Sequence, residues 1–131
     1  MILLDTHVLV WIASKPEKLS RSARREIGKA RSNGGTAIAS ISLWELALLF
    51  QSGRLRGSGT TERYIGELMS VAAATILEIT PEIAALAVLF PDSYPRDPGD
   101  RLIGATARFH DIPLVTQDER IRESPLIRTI W

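Results

Sequence analysis

Five short, largely apolar runs recur along the chain: Ile2–Asp5, Thr36–Ser40, Thr75–Glu78, Leu114–Thr116 and Ile127–Ile130. They lack the in–out alternation of a sheet with one wet face, so they read as buried strands. Between them lie longer segments whose apolar residues fall at helical spacing. Thr6–Ala13 carries Val8, Leu9, Trp11 and Ile12 and is stopped by Pro16. Ser20 can cap a helix over 21–32, closed by Asn33-Gly34-Gly35. Ser42, three residues before Glu45, predicts a capping box that opens a helix over Leu43–Gln51. Further helices are expected over Glu62–Ala73 and, from Thr80-Pro81-Glu82, through Phe90. Asp97 caps and Pro98 starts another, with Leu102, Ile103, Thr106 and Phe109 on one side. A short helical turn follows Asp118. Gly53–Thr60 is the least ordered-looking stretch, and Pro91–Pro98, with three prolines, is a loop.

Strands alternating with helices, the strands apolar throughout, predict an α/β fold with a parallel sheet covered on both faces. At 131 residues the chain has room for one domain, residues 1–131. Composition changes this picture little: 45% hydrophobic and 24% charged residues are ordinary for a globular protein. The longest apolar run, Ile83–Phe90, is too short to span a membrane. Cysteine is absent, which removes disulfides and thiolate metal sites. No signal peptide is visible, so a cytoplasmic location is expected. Net charge is +1 and does not point to nucleic acid. Only three of the 16 basic side chains are lysine, and arginine suits bidentate contacts to phosphate, although GC-rich coding yields the same bias.

The chemistry lies in four acids. Asp5 ends the first strand, Asp118 follows the fourth, and Glu45 and Asp100 fall in the first turns of two helices. Ligands of a parallel α/β sheet gather outside the carboxyl ends of its strands, which is where these positions lead. Clustered carboxylates raise each other's pKa unless a cation neutralises them, and all-oxygen ligands suit magnesium or manganese. Such a cation activates water and stabilises charge on a phosphodiester. Thr6 and Thr116 are placed to hydrogen-bond a carboxylate or a phosphate. Arg101 is placed to pair with an acid or contact substrate phosphate. His7 lies two residues from Asp5 and is read as supporting or packing rather than as a ligand. His110 ends its helix, and Trp11, Trp44 and Trp131 read as core or dimer contacts. Arg21, Arg24, Arg25, Lys29 and Arg31 form a solvated face or a contact to an RNA backbone.

Leu-Leu-Asp-Thr-His-Val-Leu-Val-Trp at 3–11, Ile-Ser-Leu-Trp-Glu-Leu at 41–46, Asp-Pro-Gly-Asp-Arg-Leu-Ile-Gly-Ala-Thr-Ala at 97–107 and Pro-Leu-Val-Thr-Gln-Asp at 113–118 together resemble the PIN-domain ribonucleases. Within these the resemblance is to the VapC toxins of bacterial toxin–antitoxin pairs. It runs nearly end to end, in order. It implies a three-layer α/β/α sandwich around a central, mainly parallel five-stranded sheet. It implies metal-binding and catalytic acids at Asp5, Glu45, Asp100 and Asp118, with Mg2+ or Mn2+ as cofactor. It further implies a metal-dependent endoribonuclease, a homodimer, and a small cognate antitoxin as partner. Gly99 departs from many relatives, which carry a larger residue, and is expected to alter loop stiffness more than chemistry.

Other classes fit less well. A phosphatase of the haloacid dehalogenase type needs a second Asp two positions after the first, where this chain has His7. Neither a phosphate-binding Gly-x-x-x-x-Gly-Lys-Ser/Thr loop nor a Gly-x-Gly-x-x-Gly fingerprint is present. The remaining alternative is a PIN-like domain that binds RNA or a partner without cutting. Such a domain is expected to lose acids, and all four are here.

Overall fold

The five apolar runs are the strands of one sheet in a computed structural model that describes residues 1–131. In chain order the elements are β1 (Ile2–Leu4), α1 (Thr6–Ser14), a 3-10 turn (Pro16–Lys18), α2 (Arg21–Arg31), β2 (Thr36–Ala39) and α3 (Ile41–Gln51). They continue with α4 (Thr61–Ala72), β3 (Ala74–Leu77), α5 (Pro81–Leu89), α6 (Pro98–Phe109), β4 (Leu114–Val115), α7 (Glu119–Arg122) and β5 (Thr129–Ile130). The strand order is β3-β2-β1-β4-β5, and every pairing is parallel. The architecture is the expected α/β sandwich, with the sheet parallel throughout.

Alternate strand residues feed two cores. Ile2, Leu4, Ile38 and Val115 pack with α1, α2 and α4 on one face. Leu3, Ala37, Ala39 and Leu114 pack with α5 and α6 on the other. Both faces are dry at β1, β2 and β4, which is why these strands lack a polar period, whereas the edge strand β3 exposes Thr75 and Ile76. No helix is long and apolar enough to cross a membrane.

The helix starts follow local chemistry. Ser20, Thr80 and Asp97 each accept a backbone N–H of the first turn, as their side chains predict. The capping box at Ser42 does not form. The third helix begins earlier, at Ile41, and its capping position, Ser40, makes no side-chain cap. Ser42 is therefore inside the helix, where its buried hydroxyl meets α1. The fourth helix ends at Ala72, because Ala73 turns left-handed with φ of 51°. The glycine-rich stretch after α3 is mostly exposed and touches the body of the protein at two points. Leu55 lies on the first core, and a β-carbon at Gly57 would come within 2.5 Å of the Tyr64 ring, itself stacked on Phe50.

Candidate metal centre

The strand order reverses between β1 and β4, its two central neighbours. At such a switch point the chain leaves adjacent strands in opposite directions and opens a crevice at their carboxyl ends. Asp5 follows β1 there, and Thr116 to Asp118 follow β4. The register Leu4↔Val115 and the bond from Asp5 N to Val115 O, 3.0 Å, set the two exits side by side.

Asp5 is held at both carboxylate oxygens. Oδ1 accepts from the Thr6 backbone N at 2.8 Å, and Oδ2 accepts from the Thr116 hydroxyl at 2.6 Å. Thr116 Oγ1 in turn accepts from the Asp118 backbone N at 3.1 Å, which fixes the turn carrying the second acid. Asp118 caps α7, Oδ1 accepting from the N–H groups of Arg120 and Ile121. Its capping and cleft-lining roles coexist, since a capping carboxylate keeps a second oxygen free.

Glu45 comes from α3. Its Oε1 accepts from the Thr6 hydroxyl at 2.7 Å, and that hydroxyl lies 2.9 Å from Ser42 Oγ. Ser42 and Glu45, three apart, share a helix face as the capping-box reading required, but the face is turned to α1.

Asp100 sits in the first turn of α6, where its backbone N donates to Asp97 Oδ1 at 3.1 Å. The buried Tyr94 hydroxyl donates to the Asp100 carbonyl at 3.0 Å and pins that turn from beneath. Gly104 leaves the space for the Tyr94 hydroxyl. Gly99 is not a matter of loop stiffness: it lies in the helix, and a β-carbon there would stand 2.5 Å from Glu45 Oε2. Arg101 does not pair with an acid. Its guanidinium donates to the carbonyls of Ala87, Phe90, Pro91 and Tyr94, collaring the end of α5 and the loop after it. A planar fork with five donors suits such a cluster of carbonyls.

Asp5, Glu45, Asp100 and Asp118 all line one cleft of about 1120 Å³, joined by Asp97 and Glu119. Among cleft residues only His7 and Arg54 are basic side chains. His7 is exposed on the rim, 6.1 Å from the Trp11 ring, with no hydrogen bond to an acid. Trp11 packs on Trp131 and also lines the cleft, as do Leu48 and Trp44, the latter 61% exposed. No residue of the basic helix α2 lines the cleft. His110 ends α6 through its backbone N–H, and its ring lies against Phe109 rather than on the helix carbonyls.

The electrostatics follow from this crowding. Burial raises the Asp100 carboxyl to about 7, with Asp97, Asp5, Asp118 and Glu45 adding repulsion. Burial also raises Asp5 and Glu45, opposed by the threonine hydrogen bonds. No three His, Cys, Asp or Glu side chains are drawn together closely enough to grip one ion as they stand. The donor set nevertheless fits a hard divalent cation: carboxylate oxygens from four elements face one cleft with their charge uncompensated. Sequence reasoning missed Tyr94, a buried anchor, gave Ser42 a capping role in place of its contact with Thr6, and read Asp97 as a cap ahead of a cleft acid. The signal for Asp97 was its position at the same helix mouth as Asp100.

Comparison with known proteins bears on the family and the fold. A family model described as the PIN domain matches residues 2–125. The chain is 39% identical over 132 aligned positions to Ribonuclease VapC22 of Mycobacterium tuberculosis, covering 99% of this chain and 98% of that protein. Two solved structures share the fold at lower identity. One is VapBC2 from Rickettsia felis bound to a DNA fragment from their promoter, with TM-score 0.69, 18% identity, and coverage of 98% and 97%. The other is DNA-bound VapBC from Salmonella typhimurium, with TM-score 0.68, 22% identity and the same coverage.

Proposed function

The chain belongs to the PIN-domain family, and from that premise we propose that residues 1–131 act as one domain, a metal-dependent endoribonuclease and the toxin of a toxin–antitoxin pair. The observation that carries this reading is the meeting of Asp5, Glu45, Asp100 and Asp118 in one cleft at the switch point of the sheet. The substrate class is supported by the nearly full-length likeness to a protein named as a ribonuclease. The antitoxin partner is supported by the fold shared with a toxin–antitoxin complex from Klebsiella pneumoniae and with a member of the VapBC family of toxin–antitoxin systems from Mycobacterium tuberculosis. We place this work in the cytoplasm. A homodimer belongs to the same reading, supported by apolar Val88 and Leu89, which stand about four-fifths exposed on α5. A monomer in sedimentation at micromolar concentration would count against it.

The four acids would hold Mg2+ or Mn2+. Such a cation supplies positive charge against the developing charge of a phosphodiester and acidifies water for attack. The chain's own part is preorganisation. Thr6 and Thr116 hold the Asp5 carboxylate by both oxygens, so its orientation is set before substrate arrives. The Thr6 hydroxyl holds one oxygen of Glu45 and leaves the other free. Tyr94 and Asp97 fix the turn that presents Asp100.

The test is cleavage of RNA by protein freed of antitoxin, in magnesium, manganese or chelator, beside Asp100→Asn. Expected is cation-dependent cleavage, lost in the variant, leaving 5′-phosphate and 3′-hydroxyl ends. Ends carrying a 2′,3′-cyclic phosphate would assign the nucleophile to the ribose hydroxyl and overturn the assignment of water. Absence of both cleavage and cation binding would favour a binding-only domain.

A further inference from the structure

Gly99 stands in the first turn of α6, after Asp97 and Pro98, and its φ is not in the left-handed region. An alanine could adopt this backbone, and it would suit a helix better, since glycine loses more conformational freedom on folding. Backbone freedom therefore gives no reason for glycine here. Space does. A β-carbon at Gly99 would meet Glu45 Oε2 at 2.5 Å, Glu45 Cδ at 2.9 Å and Asp97 Oδ1 at 3.0 Å. All three atoms belong to the cleft's carboxylates or their stem, and none is backbone or ring.

We propose that Gly99 is a positioning residue, whose missing side chain reserves the volume in which the Glu45 carboxylate stands. The proposal rests on the metal-dependent reading above and says how the acid from α3 is brought against the acids of α6. Thr6 fixes Oε1 from one side. Gly99 admits Oε2 on the other. The carboxylate is clasped between α1 and α6 although its own backbone lies on α3. A methyl group at 99 would meet the end of a flexible side chain, so the fold yields by swinging the carboxylate away. The same methyl would press on Asp97 Oδ1, which caps the Asp100 N–H. One substitution thus displaces the Glu45 carboxylate directly and reaches Asp100 through its Asp97 cap.

The test compares wild type, Gly99→Ala, Glu45→Asp and the double variant, all as full chains. The Glu45 carboxyl carbon is followed by carbon-13 NMR without metal, and Mn2+ affinity by calorimetry. Gly99→Ala is expected to fold, to move the Glu45 signal, and to weaken Mn2+ binding about tenfold, the scale of a lost orienting contact. The shorter acid of Glu45→Asp no longer reaches the added methyl, so the two substitutions together cost less than the sum of each alone. An unmoved Glu45 signal with Mn2+ affinity within about twofold of wild type overturns the proposal. So does strict additivity, or a Gly99→Ala chain that fails to fold and is not restored by Glu45→Asp. Wild type that binds no Mn2+ overturns the metal reading instead, and the Glu45 signal then decides the role of Gly99 by itself.

Discussion

The Thr116 hydroxyl donates to Asp5 Oδ2 at 2.6 Å, joining residues 111 positions apart in the chain. The same hydroxyl oxygen accepts from the Asp118 backbone N. One threonine at the end of β4 therefore orients one acid and fixes the turn that carries another.

Thr116→Val should separate these roles from packing. The swap keeps the shape in a fully buried position and removes both hydrogen bonds. Cleavage in saturating Mn2+ is expected to fall about 10- to 100-fold, the usual cost of losing a partner that orients a ligand. Thr116→Ser keeps the hydroxyl and should retain most of the activity. Equal activity in all three proteins would remove Thr116 from the site.

The raised acids give a pH dependence whose sign is unusual for carboxylates. Asp100 is lifted from 3.8 to about 7, and Asp5 and Glu45 are lifted as well. Between about pH 4 and 7 the folded state then binds more protons than the unfolded one, so stability falls as pH rises. In chelator, the melting temperature should be several degrees higher near pH 5 than near pH 8. After discounting for solvent screening of a half-buried group, the difference is on the order of 1–2 kcal/mol. Saturating Mn2+ should flatten the slope by neutralising the acids. A chelated protein whose stability rises over this range would contradict the crowding of the cleft.

Asp100→Asn should change activity and stability in opposite directions. Cleavage should drop at least about a hundredfold, because the amide carries no charge for a cation. Above pH 7 in chelator, the same variant should melt higher than wild type, since it removes a charge repelled by Asp97, Asp5, Asp118 and Glu45. Thermal melts in chelator alongside single-turnover cleavage would show both. A variant that is both inactive and less stable would point to structural damage instead.

Gly104→Ala should act through Tyr94. A β-carbon at 104 would collide with the Tyr94 hydroxyl and ring, which are buried against the ring of Phe90. Overpacking of this kind costs about 1–3 kcal/mol. Tyr94→Phe by itself loses the bond to the Asp100 carbonyl, worth about 1 kcal/mol. Combined with Gly104→Ala, it should restore part of the lost stability in denaturant titrations. Full additivity would show that the two residues do not share this space.

Much of the architecture was legible because its causes are local or periodic. Apolar strands without alternation implied a sheet buried on both faces, and the helix caps at Ser20, Thr80 and Asp97 lie where their side chains predict. The four acids were legible for a related reason: each falls where a strand ends or a helix begins, and a parallel sheet brings such positions to one edge. The capping box at Ser42 failed because two rules compete for one helix face. A Ser and an acid three apart can close on their own backbone or face a neighbouring helix, and the neighbour was invisible in the sequence.

The sequence by itself determined the elements, their alternation and the acids at their ends, because propensity, capping and burial act over a few residues. Tertiary structure alone decided the strand order, and with it the pairing of Asp5 with Thr116, of Glu45 with Thr6 and of Arg101 with a ring of carbonyls. It also decided that Gly99 is a matter of space rather than flexibility. These contacts depend on which elements become neighbours, and the packing of the whole sheet sets that.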